Sequence, residues 1–130
     1  MPIRVVRLGT PRARGEGLRV GTVRRPPRGV LKSEHASRNF YDVWLPELAP
    51  SEALVAFGLK SRDARAWRTF VRRYRAEMTR PPAARLIGLL AALSRGSALS
   101  VGCYCEDDTR CHRSVLKQLL LERGARLTRS

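Results

Sequence analysis

The chain has 130 residues, 43% of them hydrophobic, and a formal net charge of +15. That length has room for one hydrophobic core, and that apolar content is too high for a disordered chain. It excludes a transmembrane helix as well: the longest apolar run, residues 86–93, is broken by Gly88 and falls far short of the roughly 20 residues a span needs.

Residues 2–8 carry Ile3, Val5 and Val6 and predict a first strand. Residues 9–17 hold three glycines and a proline and read as a loop. A second strand is expected over 18–23, then an irregular stretch over 24–39 that begins Arg24-Arg25-Pro26-Pro27-Arg28-Gly29. The aromatic run 40–45 suggests a short strand, and Ser51 with Glu52 opens a short helix to about Gly58. The clearest helix runs from Ser61, the expected N-cap, to Thr79. Its Trp67, Phe70, Val71, Tyr74 and Met78 form one apolar stripe. Pro81 and Pro82 start the next helix, whose leucines cover most of its circumference and predict deep burial, with Gly96 as its stop. Residues 98–104 read as a central strand, apolar nearly throughout. A helix is expected from about Thr109 to Arg123, capped by Asp107 or Asp108, and a last strand over 125–128. Strand, helix and strand in this order imply a parallel crossover. The expected fold is a single α/β domain over residues 1–130, its mainly parallel sheet flanked by helices in a Rossmann-like three-layer arrangement.

All the basic residues except Lys32, Lys60 and Lys117 are arginines, a bias that a GC-rich genome also produces. They cluster, however, in residues 1–30 and 61–80. A basic face attracts polyanions. On the long helix Arg65, Arg68, Arg72 and Arg75 share one sector without an acid, which suggests either a solvated face or a phosphate-tracking, nucleic-acid-binding stripe. Three cysteines without an export signal point to a reducing, cytoplasmic setting, and no membrane partner is expected.

The chemistry concentrates in Cys103-Tyr104-Cys105-Glu106-Asp107-Asp108-Thr109-Arg110-Cys111-His112-Arg113, between the predicted central strand and a helix N-terminus. Ligands bind there in open α/β sheets, and the helix end favours anions. One reading makes Cys105 or Cys111 a nucleophile with His112 or Glu106 moving the proton, and Arg110, Arg113 and Arg28 holding an anion. A second is zinc at Cys103, Cys105 and Cys111, with His112 as the other candidate to return from the helix; against it, adjacent Cys111 and His112 are not expected both to reach one ion and the spacing matches no standard zinc pattern, so no cofactor is expected. In a third, Cys103 is a small core residue and the loop only caps and packs. The Cys-to-Arg spacing does not fit the five-residue gap of tyrosine phosphatases.

Cys103-Tyr104-Cys105-Glu106 followed by Cys111-His112-Arg113 resembles the bacterial family catalogued as domain of unknown function 488. So do Trp44-Leu45-Pro46-Glu47-Leu48-Ala49-Pro50-Ser51 and Phe70-x-x-Arg73-Tyr74-Arg75-x-Glu77. The resemblance covers about residues 40–123 and implies a small cytosolic α/β domain; it names no reaction. The family's Arg-Val-Leu-Val-Asp-Arg-Leu-Trp-Pro-Arg-Gly stretch is matched by residues 19–29. Arg24 and Pro27-Arg28-Gly29 are kept, while Val23 stands where the aspartate would be and Arg25-Pro26 replaces Leu-Trp. Two functions follow as expectations: an anion-binding, thiol-dependent site for a phosphate-bearing small molecule or nucleotide, and a basic nucleic-acid-binding accessory protein. Whether the chain is an enzyme is left open by the sequence.

Overall fold

In the computed structural model, residues 2–60, 63–105 and 111–128 are described. Four strands, β1 (Ile3–Arg7), β2 (Leu18–Gly21), β3 (Val43–Trp44) and β4 (Leu99–Cys103), form one sheet in the order β1-β4-β2-β3. Every pairing is parallel, with Val5 and Val20 both opposite Val101 in β4. The expected mainly parallel sheet is thus wholly parallel among the described residues.

Alternation along the strands divides the sheet into two unlike faces. Ile3, Val20, Leu99 and Val101 point to one face, into a core built with all four described helices: α1 (Glu52–Lys60), α2 (Ala64–Met78), α3 (Ala83–Leu93) and α4 (His112–Glu122). Arg19 and Ser100 point to the other face. Irregular chain covers that side: the Arg19 guanidinium donates to the carbonyls of Thr10 and Asn39, and Tyr41 lies against Gly21. The third layer is therefore loop rather than helix. Residues 9–17 have no helical periodicity, and Gly21, lacking a Cβ, lets the Tyr41 ring lie directly on the sheet.

The third strand is shorter than the aromatic run suggests. Tyr41 turns inward, and the Asp42 side chain, not backbone, accepts the Arg19 N–H at 2.8 Å. The tail expected as a strand is a single parallel bridge from Leu127 to Ile3. Residues 32–34, in the stretch read as irregular, form a short 3-10 turn.

Ser51 caps α1, donated to by Leu54 N–H, and is itself braced by Glu77 of α2. Tyr74, fully buried, donates its hydroxyl to the Leu48 carbonyl at 2.7 Å and ties α2 to the turn before α1. The cap of α2 is Asp63, whose carboxylate accepts the Ala66 N–H at 2.7 Å; Ser61 lies outside the described residues. Asp63→Ala is expected to cost about 1 kcal/mol in chemical denaturation. A change of only a few tenths would show that the cap adds nothing here. α3 is less buried than its leucines suggest: Ile87 and Leu90 face the core, but Leu89 is 53% exposed and Leu93 42%. A short helix on one side of the core has only one face to bury, whatever its composition.

Candidate functional site

β2 and β4 end side by side, and the chain leaving each of them walls a cleft of about 730 Å³. After β2 come Val23, Arg24, Arg25, Pro26, Pro27 and Arg28; after β4 come Tyr104 and Cys105. Val55, Ala56 and Leu59 of α1 form an apolar wall, and Cys103 and His112 reach the floor. The cleft thus lies beyond the carboxyl ends of the central strands, where the sequence places it, and brings Arg28 to the same space as Cys105 and His112.

Its three arginines are not equivalent. Arg24 is spent on the carbonyls of Pro50 and Ala49, and Arg25 pairs with Glu52. Arg28 is exposed and has no partner among the described residues. The family's aspartate position holds Val23, which is buried and whose carbonyl accepts the Trp44 indole N–H at 2.7 Å. Tyr104 donates to the Arg25 carbonyl and fixes the β2 loop against the β4 loop.

Beneath the cleft lies a sulfur and imidazole cluster. The free thiols of Cys103 and Cys111 are both buried, with their sulfurs 2.7 Å apart, while Cys105 is exposed. His112 Nε2 sits 2.7 Å from the Thr22 carbonyl and Nδ1 sits 3.8 Å from the Cys111 sulfur. A carbonyl only accepts, so Nε2 carries the proton, and Nδ1 keeps its lone pair toward the sulfurs. Burial holds His112 down at about 4, neutral near pH 7. Hydrogen bonds from Cys103 and then Cys111 to the Cys105 sulfur draw its thiol down to about 2. The same sharing pushes Cys103 up to about 11, and Cys111 up as well.

The local backbone explains this convergence, and it corrects two expectations. α4 begins at His112, not near Thr109, and Cys111 in extended conformation stands at the N-cap position in place of Asp107 or Asp108. The sharp change from extended to helical backbone between Cys111 and His112 turns both side chains to one point. The sulfurs of Cys103 and Cys111 and the His112 nitrogen lie within 4.8 Å of one another, a group that could hold a metal ion. The objection that neighbours cannot share an ion therefore fails here.

The remaining predicted residues are dispersed. Arg113 is buried and donates to the Cys105 carbonyl at 2.6 Å, binding the β4 loop to α4; it does not line the cleft. Glu106, Arg110, Asp107 and Asp108 lie outside the described residues. On α2, Arg65, Arg68 and Arg72 are exposed, but Arg75 makes a two-pronged pair with Glu122 of α4. The acid that the stripe lacks in sequence is supplied from another helix. Sequence reasoning missed Thr22 and the α1 wall. Thr22 offered one signal, a polar residue in step with Leu18 and Val20 on the apolar side of the alternation.

The described residues form a small α/β fold with an all-parallel sheet and a cleft at the carboxyl ends of its central strands. The chain belongs to the DUF488 family: the family model described as the active DUF488-N3 subclade matches residues 3–124. No curated protein and no solved structure matches it. No helix among the described residues is long and apolar enough to cross a membrane.

Proposed function

We propose that the cleft is an active site for a small molecule bearing a phosphate-like anion, held by Arg28, with the Cys105 thiol acting on it. The observation that carries this reading is the meeting of two groups from different loops in one cleft: the single cleft arginine without a partner among the described residues, and the single exposed thiol. Arginine suits a phosphate because its planar fork donates two parallel hydrogen bonds. The largely apolar walls would take the rest of the molecule, and the volume lies within the range of small-molecule sites. The word "active" in the family description is consistent with catalysis. On the α2 face, the alternative nucleic-acid surface, Arg75 is already paired with Glu122, which leaves Arg65, Arg68 and Arg72 exposed.

The test is alkylation by iodoacetamide, mapped cysteine by cysteine, with adenosine monophosphate or pyrophosphate as protectant. Cys105 should react far faster than Cys103 and Cys111, and either anion should slow it. Arg28→Met should weaken that protection about 10- to 100-fold, the value of a hydrogen-bonded charge pair. Unchanged Cys105 alkylation at millimolar concentrations of both anions would refute the reading.

A further inference from the structure

We infer that Cys103, Cys111 and His112 form a binding site for one zinc-class divalent cation, its fourth position facing the cleft. The three donor atoms already lie within 4.8 Å of one another, drawn from the end of β4 and the start of α4. A cation at about 2.3 Å from each sulfur would need the two thiolates about 3.8 Å apart in a tetrahedral site. The cluster therefore opens by about an ångström when it fills.

Three further observations point to a ligand rather than to ordinary core packing. The first is the imidazole: Nε2–H is committed to the Thr22 carbonyl, so the free lone pair is on Nδ1, toward the sulfurs. Metal-bound histidines are held in the same way, the far ring nitrogen donating to a carbonyl or carboxylate that fixes tautomer and aim. Here the anchor is itself anchored, because Thr22 N–H and Oγ1 both donate to the Gly102 carbonyl at 2.9 Å. The second is the ring's setting. Tyr74 packs edge-on against it with centroids 5.6 Å apart, so the imidazole has little freedom to swing away. The third is chemical. Two sulfurs and a nitrogen, with no carboxylate in the group among the described residues, suit zinc or cobalt and discriminate against magnesium and calcium, which require oxygen.

Cys103 and His112 border the cleft while Cys111 does not, so the open side of the triangle faces the cleft. Cys105, on the β4 loop that borders the same cleft, is not one of the three ligands. Filling the site replaces two S–H protons with two sulfur–metal bonds and releases those protons to solvent. This inference does not depend on the reading of Arg28 and Cys105: a failed protection experiment leaves it standing.

The test uses the full chain, stripped with chelator under reducing conditions and titrated with Co²⁺ and then Zn²⁺. The wild type should bind one equivalent of Co²⁺ with thiolate-to-metal charge transfer and the strong visible bands of a tetrahedral site. Zn²⁺ should displace it and raise Tm. Cys103→Ser and His112→Ala should each weaken Zn²⁺ binding at least 100-fold, whereas Cys105→Ser should keep one equivalent. Because two of these variants alter buried residues, the wild-type cobalt spectrum decides without them. Absence of the charge-transfer band at stoichiometric metal overturns the site. So does undiminished binding in Cys103→Ser, or its loss in Cys105→Ser.

Discussion

Glu16→Gln is expected to destabilise the fold by about 3–5 kcal/mol, the usual cost of stranding a buried charge. Glu16 and Arg19 are both buried, and their two-pronged pair has contacts of 2.7 and 2.9 Å. Ser100 of β4 donates to the same carboxylate, so the pair links the loop over residues 9–17 to β2 and β4 at once. With the amide in place, the Arg19 guanidinium would keep its carbonyl partners Thr10 and Asn39 but lose its counter-charge. Replacing both residues, as Glu16→Gln with Arg19→Met, should cost less than the single change, because no charge is then left without a partner. A single-variant loss below about 1 kcal/mol in urea would show that the network does not hold the loop.

The same carboxylate sets an acid limit. Burial alone would raise its pKa, but hydrogen bonds from Arg19, Ser100 and Ala13 outweigh that and hold it at about 2, against an ordinary 4.5. A lowered folded-state value gives stability that is complete above about pH 4.5 and is lost as pH falls from there toward 2. The difference corresponds to about 3 kcal/mol. Glu16→Gln should flatten the stability profile over that window, and a wild-type slope that survives the substitution would assign it to other carboxylates.

What could be read from the sequence and what could not divide on physical lines. Apolar periodicity located the helices and the central strand, because those signals depend on local spacing alone. The place of the cleft followed from it, since the crevice of a parallel sheet lies beyond its strand ends, here at residues 103–105. Glu16 was unreadable: a single acid among glycines looks like a solvated loop until Arg19 is seen beneath it. The cap of α4 was misplaced because Asp107 and Asp108 are better cap residues than Cys111 by side-chain chemistry. Cysteine stands there with no capping hydrogen bond. The same backbone turn made the Cys111 and His112 pairing invisible, since spacing rules assume a continuous helix or strand.

Gly17→Ala should cost about 3 kcal/mol or more, and its comparison with Gly15→Ala isolates the reason. Both glycines have positive φ, +79° and +75°, so both substitutions incur the left-handed penalty of about 1–2 kcal/mol. Around Gly15 an added Cβ meets nothing within 4 Å, whereas at Gly17 it would overlap the Ala98 carbonyl. That carbonyl belongs to the backbone entering β4 and cannot swing aside as a side chain would. Relief would require β2 to shift against β4, with an overpacking cost added to the penalty. The register at stake pairs Leu18 with Leu99 and Gly21 with Gly102, and it carries Thr22 to its place beside His112. Gly15→Ala should therefore lose stability alone. Gly17→Ala should also loosen the imidazole, which the His112 ring resonances would report in NMR as a lost Nε2–H hydrogen bond. Equal stability losses in the two variants, with the His112 resonances unmoved, would mean that the close approach of loop and strand does not set the site.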